Sequence, residues 1–361
     1  MSKQSILFLT FSVVFLLAIK ILVFPLSIEE APISIEKEGK GEINCFVYHR
    51  FGEENYPSTN ISLETFERQL QWLQENHFTV LTLGEALKLI DADNLPQKSV
   101  VLTVDDGYRS FILRAFPLLQ KYNYKATVFV NTATVGGGSY MNWKELKQLV
   151  DAGIEIGNHS HSHAYFLNYS KEEKLKIFKE DVAKAQKTIR ENLGISPELF
   201  AYPYGEYSLD LKKAVQELGF KAAAAQNSGV ISSYSDRFAL PRFPMGSSFA
   251  SLEGFRSKAK MKALEVKNVV PESSVLSSDN PPILKLEIND SQINLNQIQC
   301  FVQGSKNCRL IADSRNPNQF TMKAEAPLNN RRTLYTITAP SLDGRKWFWY
   351  SHLWINPQVS E

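Results

Sequence analysis

The sequence predicts an α/β fold followed by a small all-β domain, and two observations predict it. Between residues 43 and 262, short apolar runs rich in β-forming residues alternate with helical stretches, as in a mainly parallel sheet or barrel. After residue 283, six apolar runs are separated only by turn residues, which predicts a sandwich of six or seven strands. A chain of 361 residues is long enough to form both parts.

The first 30 residues are expected to lie outside this fold. Residues 6–26 are apolar apart from Ser, Thr and one Lys, and as a helix they are about 31 Å long, close to the roughly 30 Å core of a bilayer. Lys3 precedes the run and Glu29 and Glu30 follow it, so the remainder is expected on the periplasmic or outer side of the membrane. A cleaved signal peptide is the alternative, but no small-x-small cleavage site follows the run.

Residues 31–262 are expected to form the α/β domain. Its predicted strands run into polar loops, and several of its predicted helices end in Gly or Asn, the residues preferred at helix C-termini. The predicted strands are residues 43–49, 99–106, 125–131, 153–159, 199–205 and 221–227. The predicted helices are residues 62–77, 111–123, 143–153, 171–194 and 209–219.

Residues 263–283 are rich in Pro and Ser and show little periodicity, so they are predicted to be a linker to a C-terminal β domain of residues 284–361. Within that domain, Cys300 and Cys308 can close a small disulfide loop in an oxidising compartment, which leaves Cys45 unpaired. The net charge is only +2 and no basic run alternates with aromatic residues, so nucleic acid is excluded as a partner. The sequence does not indicate protein partners.

Three stretches place polar residues at the carboxyl ends of predicted strands, where α/β folds build their sites. The first is "TVDDG", in which a buried strand ends in Asp105 and Asp106. Adjacent carboxylates on a bend can point apart, so that one binds a cation while the other acts as a base. An Asp-Gly turn with no chemical role is the alternative interpretation.

The second stretch is "GNHSHSH", residues 157–163. If it continues as a strand, His159, His161 and His163 share one face and suit a three-histidine zinc site. If it turns helically, His159 and His163 lie on one side and His161 points roughly 160° away. The spacing leaves both arrangements open, as well as a loop of solvated histidines without a ligand.

The third stretch is "FAYPYG", where a strand breaks at Pro203. Proline fixes the loop and Gly205 permits a tight turn, so the backbone N–H of Tyr204 can be presented to a substrate oxygen as an oxyanion donor. Taken alone, the stretch is equally compatible with aromatic packing around a proline turn.

Together, "TVDDG", "HSHSH" and "YPYG" resemble, in this order, the three main motifs of the polysaccharide deacetylases, carbohydrate esterase family 4. The resemblance covers roughly residues 43–250 and implies a distorted (β/α) barrel. Because the second motif of the family is His-Ser/Thr-x-x-His, it implies that Asp106, His159 and His163 bind the metal and that Asp105 is the base. His161 is then a bystander or a residue that supports the ligands.

The resemblance also implies a mechanism. Zn²⁺ is the expected cation for two imidazoles and one carboxylate, with Co²⁺, Ni²⁺ or Fe²⁺ as alternatives. It would bind the acetamido oxygen and a water, and Asp105 would take the proton of the attacking water. The metal and the Tyr204 N–H would stabilise the oxyanion, and an acid must protonate the departing amine.

The chain departs from the common family pattern in the identity of that acid. The usual Leu-x-His motif is missing, because residues 206–262 contain no histidine. His77 is expected to cap a helix and His352 lies in the β domain, whereas His49 ends the first predicted strand. A Tyr-His at this place resembles the subgroup of exopolysaccharide deacetylases that act on poly-β-1,6-N-acetylglucosamine, so His49 is the expected acid.

Two further departures concern the strands next to the site. Ala201 stands where the family has an Arg that orients the base, and Arg242, in a segment similar to one of the same subgroup, is the expected substitute. An ordinary surface ion pair is the alternative role for Arg242. Val104 stands where the family usually has Phe, and because this change lies within a strand, it hardly weakens the resemblance.

The resulting hypothesis is a membrane-anchored, metal-dependent N-deacetylase that acts on an N-acetylglucosamine-containing polysaccharide. The alternatives are a non-catalytic polysaccharide-binding protein on the same fold and a metal-dependent hydrolase of another amide or ester. No chemistry is identified in the β domain. Its aromatic ending "WFWYSHLW" is expected to be packing, with sugar stacking as the alternative.

Overall fold

The computed structural model describes residues 41–289, 291–305 and 307–360. These residues contain nineteen strands and seven α-helices. In chain order the strands are β1 (Glu42–Tyr48), β2 (Arg50–Phe51), β3 (Asn60–Ile61), β4 (Thr79–Leu81), β5 (Ser99–Val104), β6 (Thr127–Val130), β7 (Glu155–Asn158), β8 (Leu199–Ala201), β9 (Ala222–Ala224), β10 (Val230–Ser232), β11 (Phe243–Pro244), β12 (Lys262–Ala263), β13 (Val266–Val270), β14 (Ile283–Ile288), β15 (Gln299–Val302), β16 (Cys308–Ala312), β17 (Gln319–Ala324), β18 (Arg332–Pro340) and β19 (Trp347–Ile355). The helices are α1 (Leu63–Glu75), α2 (Leu83–Asp91), α3 (Phe116–Lys121), α4 (Trp143–Asp151), α5 (Lys171–Leu193), α6 (Leu209–Glu217) and α7 (Leu252–Lys258).

The α/β part is a curled, mainly parallel sheet with the strand order β10-β1-β5-β6-β7-β8-β9, in which β4 also pairs with β5. Only β10 is antiparallel to its neighbour, β1. The gap between β9 and β1 is bridged by residues 240–244: Leu240 forms a parallel bridge to Ala224 of β9, and β11 pairs with β1. The sheet is therefore an incomplete barrel whose closing segment is mostly irregular.

The inner face of the curled sheet forms a core of its own. Period-two alternation places Cys45, Val101, Phe129 and Ala201 of four different strands in one cluster, and each is fully buried. Gly157 of β7 belongs to the same face, because a Cβ atom there would lie 2.3 Å from the Phe129 ring. The alternate residues of the strands pack outward against the helices. Residues that continue the inward series beyond the strand ends therefore point to the top of the barrel.

Five of the seven α-helices begin at a Ser, Thr or Asn whose side chain caps the helix. Thr82 and Glu85 form a capping box at the start of α2, and Asn142 and Glu145 form one at the start of α4. The longest helix, α5, starts at the Ser170 cap and ends at Gly194 in the left-handed conformation. Two helices, α2 and α7, were not among those predicted, and the predicted helix of residues 111–123 begins with a π-helical turn over Phe111–Ala115.

The all-β region consists of two four-stranded sheets, β12-β19-β18-β15 and β13-β14-β17-β16. Apolar side chains of both sheets share one core, as a sandwich requires. Cys300 of β15 and Cys308 of β16 form a disulfide that joins the edge strands of the two sheets, and Cys45 is free and buried.

The predicted linker over residues 263–283 needs correction. Although its composition indicated little regular structure, β13 lies inside it and pairs antiparallel with β14, and β12 at its start pairs with β19. β12 adds a strand to one sheet of the sandwich and the valine-rich β13 adds one to the other, so strand pairing overrides the proline and serine content.

The predicted membrane span falls on residues 6–26, outside the described residues. None of the helices described from residue 41 onward combines the length and the apolar character needed to cross a bilayer.

Candidate active site

The two adjacent carboxylates after β5 point to different places. Asp105 continues the inward series of β5 and is completely buried, whereas the side chain of Asp106 retains 12% exposure. Asp106 and Gly107 both have positive φ, 72° and 74°, so the chain turns sharply at the strand end. This turn separates the two carboxyl groups as the sequence predicted.

Asp106, His159 and His163 bring their ligand atoms together at the top of the barrel. Asp106 Oδ1 lies 3.4 Å from His159 Nε2 and 3.2 Å from His163 Nε2, and the two Nε2 atoms are 3.2 Å apart. All three candidate ligand atoms lie within 4.8 Å of one another. Two imidazole nitrogens and one carboxylate oxygen are a common ligand set of catalytic zinc sites. The donor set therefore fits a divalent metal ion.

The backbone after β7 decides which histidines converge. β7 ends at Asn158, and the following loop has positive φ at Ser160 (67°) and His163 (54°), so it continues neither as a strand nor as a helix. His161 points away, since its Nδ1 lies 2.8 Å from Thr132 Oγ1. Of the arrangements left open by the sequence, the loop realises the pairing of His159 with His163.

His159 is held in one tautomer. Its Nδ1 lies 2.7 Å from the carbonyl oxygen of Ala201 in β8, and because a carbonyl oxygen only accepts, Nδ1 carries the hydrogen and Nε2 presents its lone pair. Burial opposes the charged form of this ring, but contacts with Asp106 and the charge of Asp105 outweigh burial and raise the pKa of His159. Burial would raise the pKa of Asp106, but its hydrogen bonds with His159 and His163 outweigh burial and hold the pKa well below its usual range.

Arg242 holds Asp105 from the segment that closes the barrel. Its Nη1 and Nη2 donate to Asp105 Oδ1 and Oδ2 at 2.7 and 2.8 Å, and both side chains are completely buried. The guanidinium also donates to Thr103 Oγ1 and to the carbonyl oxygen of Ala225. Burial alone would raise the pKa of Asp105, but the charge and hydrogen bonds of Arg242, together with the nearby His159 and His49, outweigh burial and lower the pKa. The alternative of a surface ion pair is thereby excluded for Arg242.

His49 follows β1 and lines the same cleft as the three candidate ligands. Burial lowers its pKa, although the nearby charges of Asp106 and Asp105 oppose that effect. Of the six histidines in the chain, His49, His159 and His163 line this cleft. His77 is exposed beyond the end of α1, and His352 is buried within the β sandwich.

The loop after β8 has the geometry of a backbone donor. Tyr204 has a φ of 58° within the turn Pro203–Gly205, and its N–H has no acceptor among the hydrogen bonds of the described residues. Gly205 also has a positive φ, and a Cβ atom there would lie 2.5 Å from Gln226. The Tyr204 ring stacks on Tyr165 with centroids 3.7 Å apart and meets His163 edge-on at 4.4 Å. These rings fix the loop beside the ligand group.

The cleft has a volume of about 760 Å³ and extends beyond these residues. Tyr108 and Tyr140 stack on each other in its wall, with ring centroids 4.9 Å apart. Residues of the all-β region, among them Phe301 and Arg332, line it as well. Trp349 and Leu353 of the aromatic ending also line it, so the sequence had offered that ending as a sugar-stacking alternative, but it contained no signal for Phe301 and Arg332.

This chain is similar to known polysaccharide deacetylases. The family model described as polysaccharide deacetylase matches residues 92–223, which include both aspartates, both ligand histidines and Tyr204. The poly-beta-1,6-N-acetyl-D-glucosamine N-deacetylase of Staphylococcus aureus is 29% identical over 213 residues, 55% of this chain and 72% of that protein.

Solved structures agree in fold. The Streptococcus pyogenes deacetylase PplD, in complex with acetate, aligns with a TM-score of 0.56 and 23% identity over 61% of this chain and 99% of that chain. IcaB from Ammonifex degensii aligns with a TM-score of 0.53 and 26% identity over 61% of this chain and 98% of its own.

Proposed function

The chain carries a polysaccharide deacetylase domain and is a deacetylase, and on that premise we propose that it hydrolyses N-acetyl groups of an N-acetylglucosamine-containing polysaccharide and releases acetate. The observation that carries the proposal is the convergence of Asp106, His159 and His163 beside a buried Asp105 that is paired with Arg242. A metal-ligand group and a positioned base are what metal-assisted amide hydrolysis requires.

Asp106, His159 and His163 would hold the ion, with Zn²⁺ as the expected metal. When bound, such an ion supplies Lewis acidity toward the amide oxygen and toward water. Because Ala201 fixes the His159 tautomer, Nε2 is available as a ligand without rotation of the ring. The positive φ at His163 brings the second imidazole to the same point.

Asp105 is assigned as the base that takes the proton of the attacking water. Arg242 occupies one lone pair of each carboxylate oxygen, so each oxygen retains another for a proton. The lowered pKa keeps the carboxylate ionised at neutral pH. The missing family Arg at Ala201 and the relocated acid are the two grounds for the alternative of a non-catalytic protein, and the Arg242–Asp105 pair argues against the first of them.

His49 is assigned as the acid and the Tyr204 N–H as the oxyanion donor. Hydrolysis adds water across the amide C–N bond, so the departing nitrogen must gain a proton. His49 is the histidine of the cleft that is not part of the ligand group. The Tyr204 N–H lies beside His163 and has no acceptor within the described part of the chain, so it is suited to the negative oxygen that forms on the acetyl carbon.

Poly-β-1,6-N-acetylglucosamine is the proposed polymer, since the Staphylococcus aureus relative is named for it. Anchoring through residues 6–26 and an orientation toward the periplasm or cell exterior are proposed from the sequence alone.

The test is acetate release by the full-length chain, loaded with Zn²⁺ or Co²⁺, from β-1,6- and β-1,4-linked N-acetylglucosamine oligomers. We expect release from the β-1,6-linked series and its loss when a chelator is added. Release from the β-1,4-linked series alone would refute the linkage, and absence of release from both at full metal occupancy would refute the reaction.

A further inference from the structure

The cleft above the ligand group has walls from two parts of the chain. One wall belongs to the barrel and includes His49, Asp106 and Phe249, and the other belongs to the all-β region and includes Phe301 and Thr336. The all-β region lies outside residues 92–223, which match the deacetylase family model. This second wall is therefore not a part of the matched domain.

Two phenyl rings in these walls are unusually exposed for their size. Phe301 on β15 is 52% exposed, and Phe249, which follows the barrel-closing segment, is 49% exposed. An exposed apolar ring in a cleft commonly marks a place where a ligand is bound. The C–H faces of β-linked hexose rings are apolar, so burying them against a phenyl ring is favourable.

The β wall is fixed to the barrel close to the Tyr204 loop. Arg331 donates from Nε and Nη2 to the two carboxylate oxygens of Glu206 at 2.6 and 2.8 Å, and both residues are buried. Arg332, the next residue, donates to the same carboxylate and lies with its guanidinium 5.6 Å from the Tyr204 ring. The wall is thereby held at a defined position relative to the site.

A second connection holds the other side of the same sheet. Trp349 of β19 donates from its indole nitrogen to the Ser228 carbonyl oxygen at 3.1 Å, and its ring meets Phe243 of the barrel edge-on at 5.5 Å. Trp349 and Ser228 both line the cleft. The strand that carries Phe301, β15, pairs with β18 in this anchored sheet.

We propose that the all-β region forms a second wall of the substrate site, and that Phe301 stacks on a sugar unit near the one that is deacetylated. This inference rests on the proposed function, because it takes the polymer of that reaction as the occupant. The continuity of the cleft from the ligand group to Phe301 supports this occupant, and a volume of about 760 Å³ exceeds what one acetamido group needs. The β region then favours long oligomers over short ones.

The experiment compares full-length wild type with Phe301→Ala, Phe301→Trp and Trp347→Ala on β-1,6-linked N-acetylglucosamine oligomers from dimer to hexamer. Trp347 is an exposed aromatic of the same region that does not line the cleft, so it is the matched control. We expect Phe301→Ala to raise KM for the hexamer about tenfold and KM for the dimer much less. Phe301→Trp should restore the hexamer KM, and Trp347→Ala should behave as wild type.

Hexamer binding to the metal-free protein, measured by calorimetry, separates this inference from the proposed function. If wild type releases no acetate, the proposed function fails, and weaker hexamer binding by Phe301→Ala still supports the wall. If wild type and Phe301→Ala show equal hexamer KM or equal hexamer binding, the inference that the all-β region binds substrate is refuted, even if acetate is released. Absence of hexamer binding to wild type overturns it as well.

Discussion

Arg242 and Asp105 form a fully buried, two-pronged ion pair, with Nη1–Oδ1 and Nη2–Oδ2 distances of 2.7 and 2.8 Å. The pair connects the irregular segment that closes the barrel to the end of β5. Arg242 therefore both holds the closing segment against the barrel and orients the proposed base. Substituting Arg242 should affect activity as well as stability.

Arg242→Met should lower turnover at least about 100-fold, because Asp105 loses both of the donors that orient it. It should also lower the free energy of unfolding by about 3 to 5 kcal/mol, since an uncompensated charge stays buried. Arg242→Lys keeps the charge but not the two parallel N–H donors of the guanidinium, so its turnover and its free energy of unfolding should lie between those of wild type and Arg242→Met. Acetate-release kinetics and denaturant unfolding measure the two effects, and a wild-type turnover for Arg242→Met would contradict the role.

Asp105→Asn and His163→Ala should separate the base from the metal ligands. Asp105→Asn should retain the metal and lose about 1,000-fold in turnover, because the amide cannot accept the proton. His163→Ala removes one of three ligands and should lose metal as well as activity. Elemental analysis after dialysis checks both variants. Equal metal loss in the two would show that the roles are wrongly divided.

His49→Gln should slow amide hydrolysis about 100-fold and leave the metal in place. An amine needs a proton to leave, whereas the 4-nitrophenolate of 4-nitrophenyl acetate does not. The ester rate of His49→Gln should therefore remain within about tenfold of wild type. Equal losses on the amide and the ester would assign His49 to positioning, and an unchanged amide rate would refute His49 as the acid.

The sequence predicted which residues converge at the candidate site because most of them follow strand ends. Period-two alternation carries Asp105 inward, and the loop after β7 carries His159 and His163. The sequence could not show whether the histidine segment continues as a strand or turns. The turn depends on positive φ at Ser160 and His163, and neither residue type requires a positive φ.

Residues that reach the site from a distance were harder to predict. Arg242 was expected only through the family resemblance, because residues 240–244 are too short and irregular to show a pattern. The position of the β wall against the barrel had no sequence signal, since it depends on contacts such as the Arg331–Glu206 pair, which joins residues 125 positions apart. Such contacts are set by packing between sheets and not by local propensity.

Replacing both Cys300 and Cys308 with Ser should lower the free energy of unfolding by about 2 to 3 kcal/mol, from the entropy of the short loop that the disulfide closes. The bond joins the edges of the two sheets next to Phe301, so KM for the hexamer should rise as well. Unfolding with and without reductant measures the effect. In reductant, the free energy of unfolding of wild type should equal that of the double variant. Reductant should not change the free energy of unfolding of the variant.

His352 should make the protein less stable in mild acid. Burial lowers its pKa from 6.5 to about 4, only partly opposed by a backbone hydrogen bond at Ser273, and its Nε2 has no hydrogen-bond partner among the described residues. Above pH 6.5 both the folded and the unfolded chain hold the neutral ring, so there is no effect. Between pH 6.5 and 4 the unfolded chain takes up a proton that the folded chain does not, so stability falls by about 3 kcal/mol over this window.

His352→Gln removes this titration while keeping a polar side chain of similar length. We therefore expect the stability of wild type, relative to the variant, to decline by about 3 kcal/mol between pH 7 and pH 4. Urea unfolding at pH 7, 5.5 and 4.5 measures the difference, and carboxylates that titrate in the same range cancel because both proteins contain them. Parallel pH dependence of the two proteins would show that the folded chain accommodates the charged His352 ring.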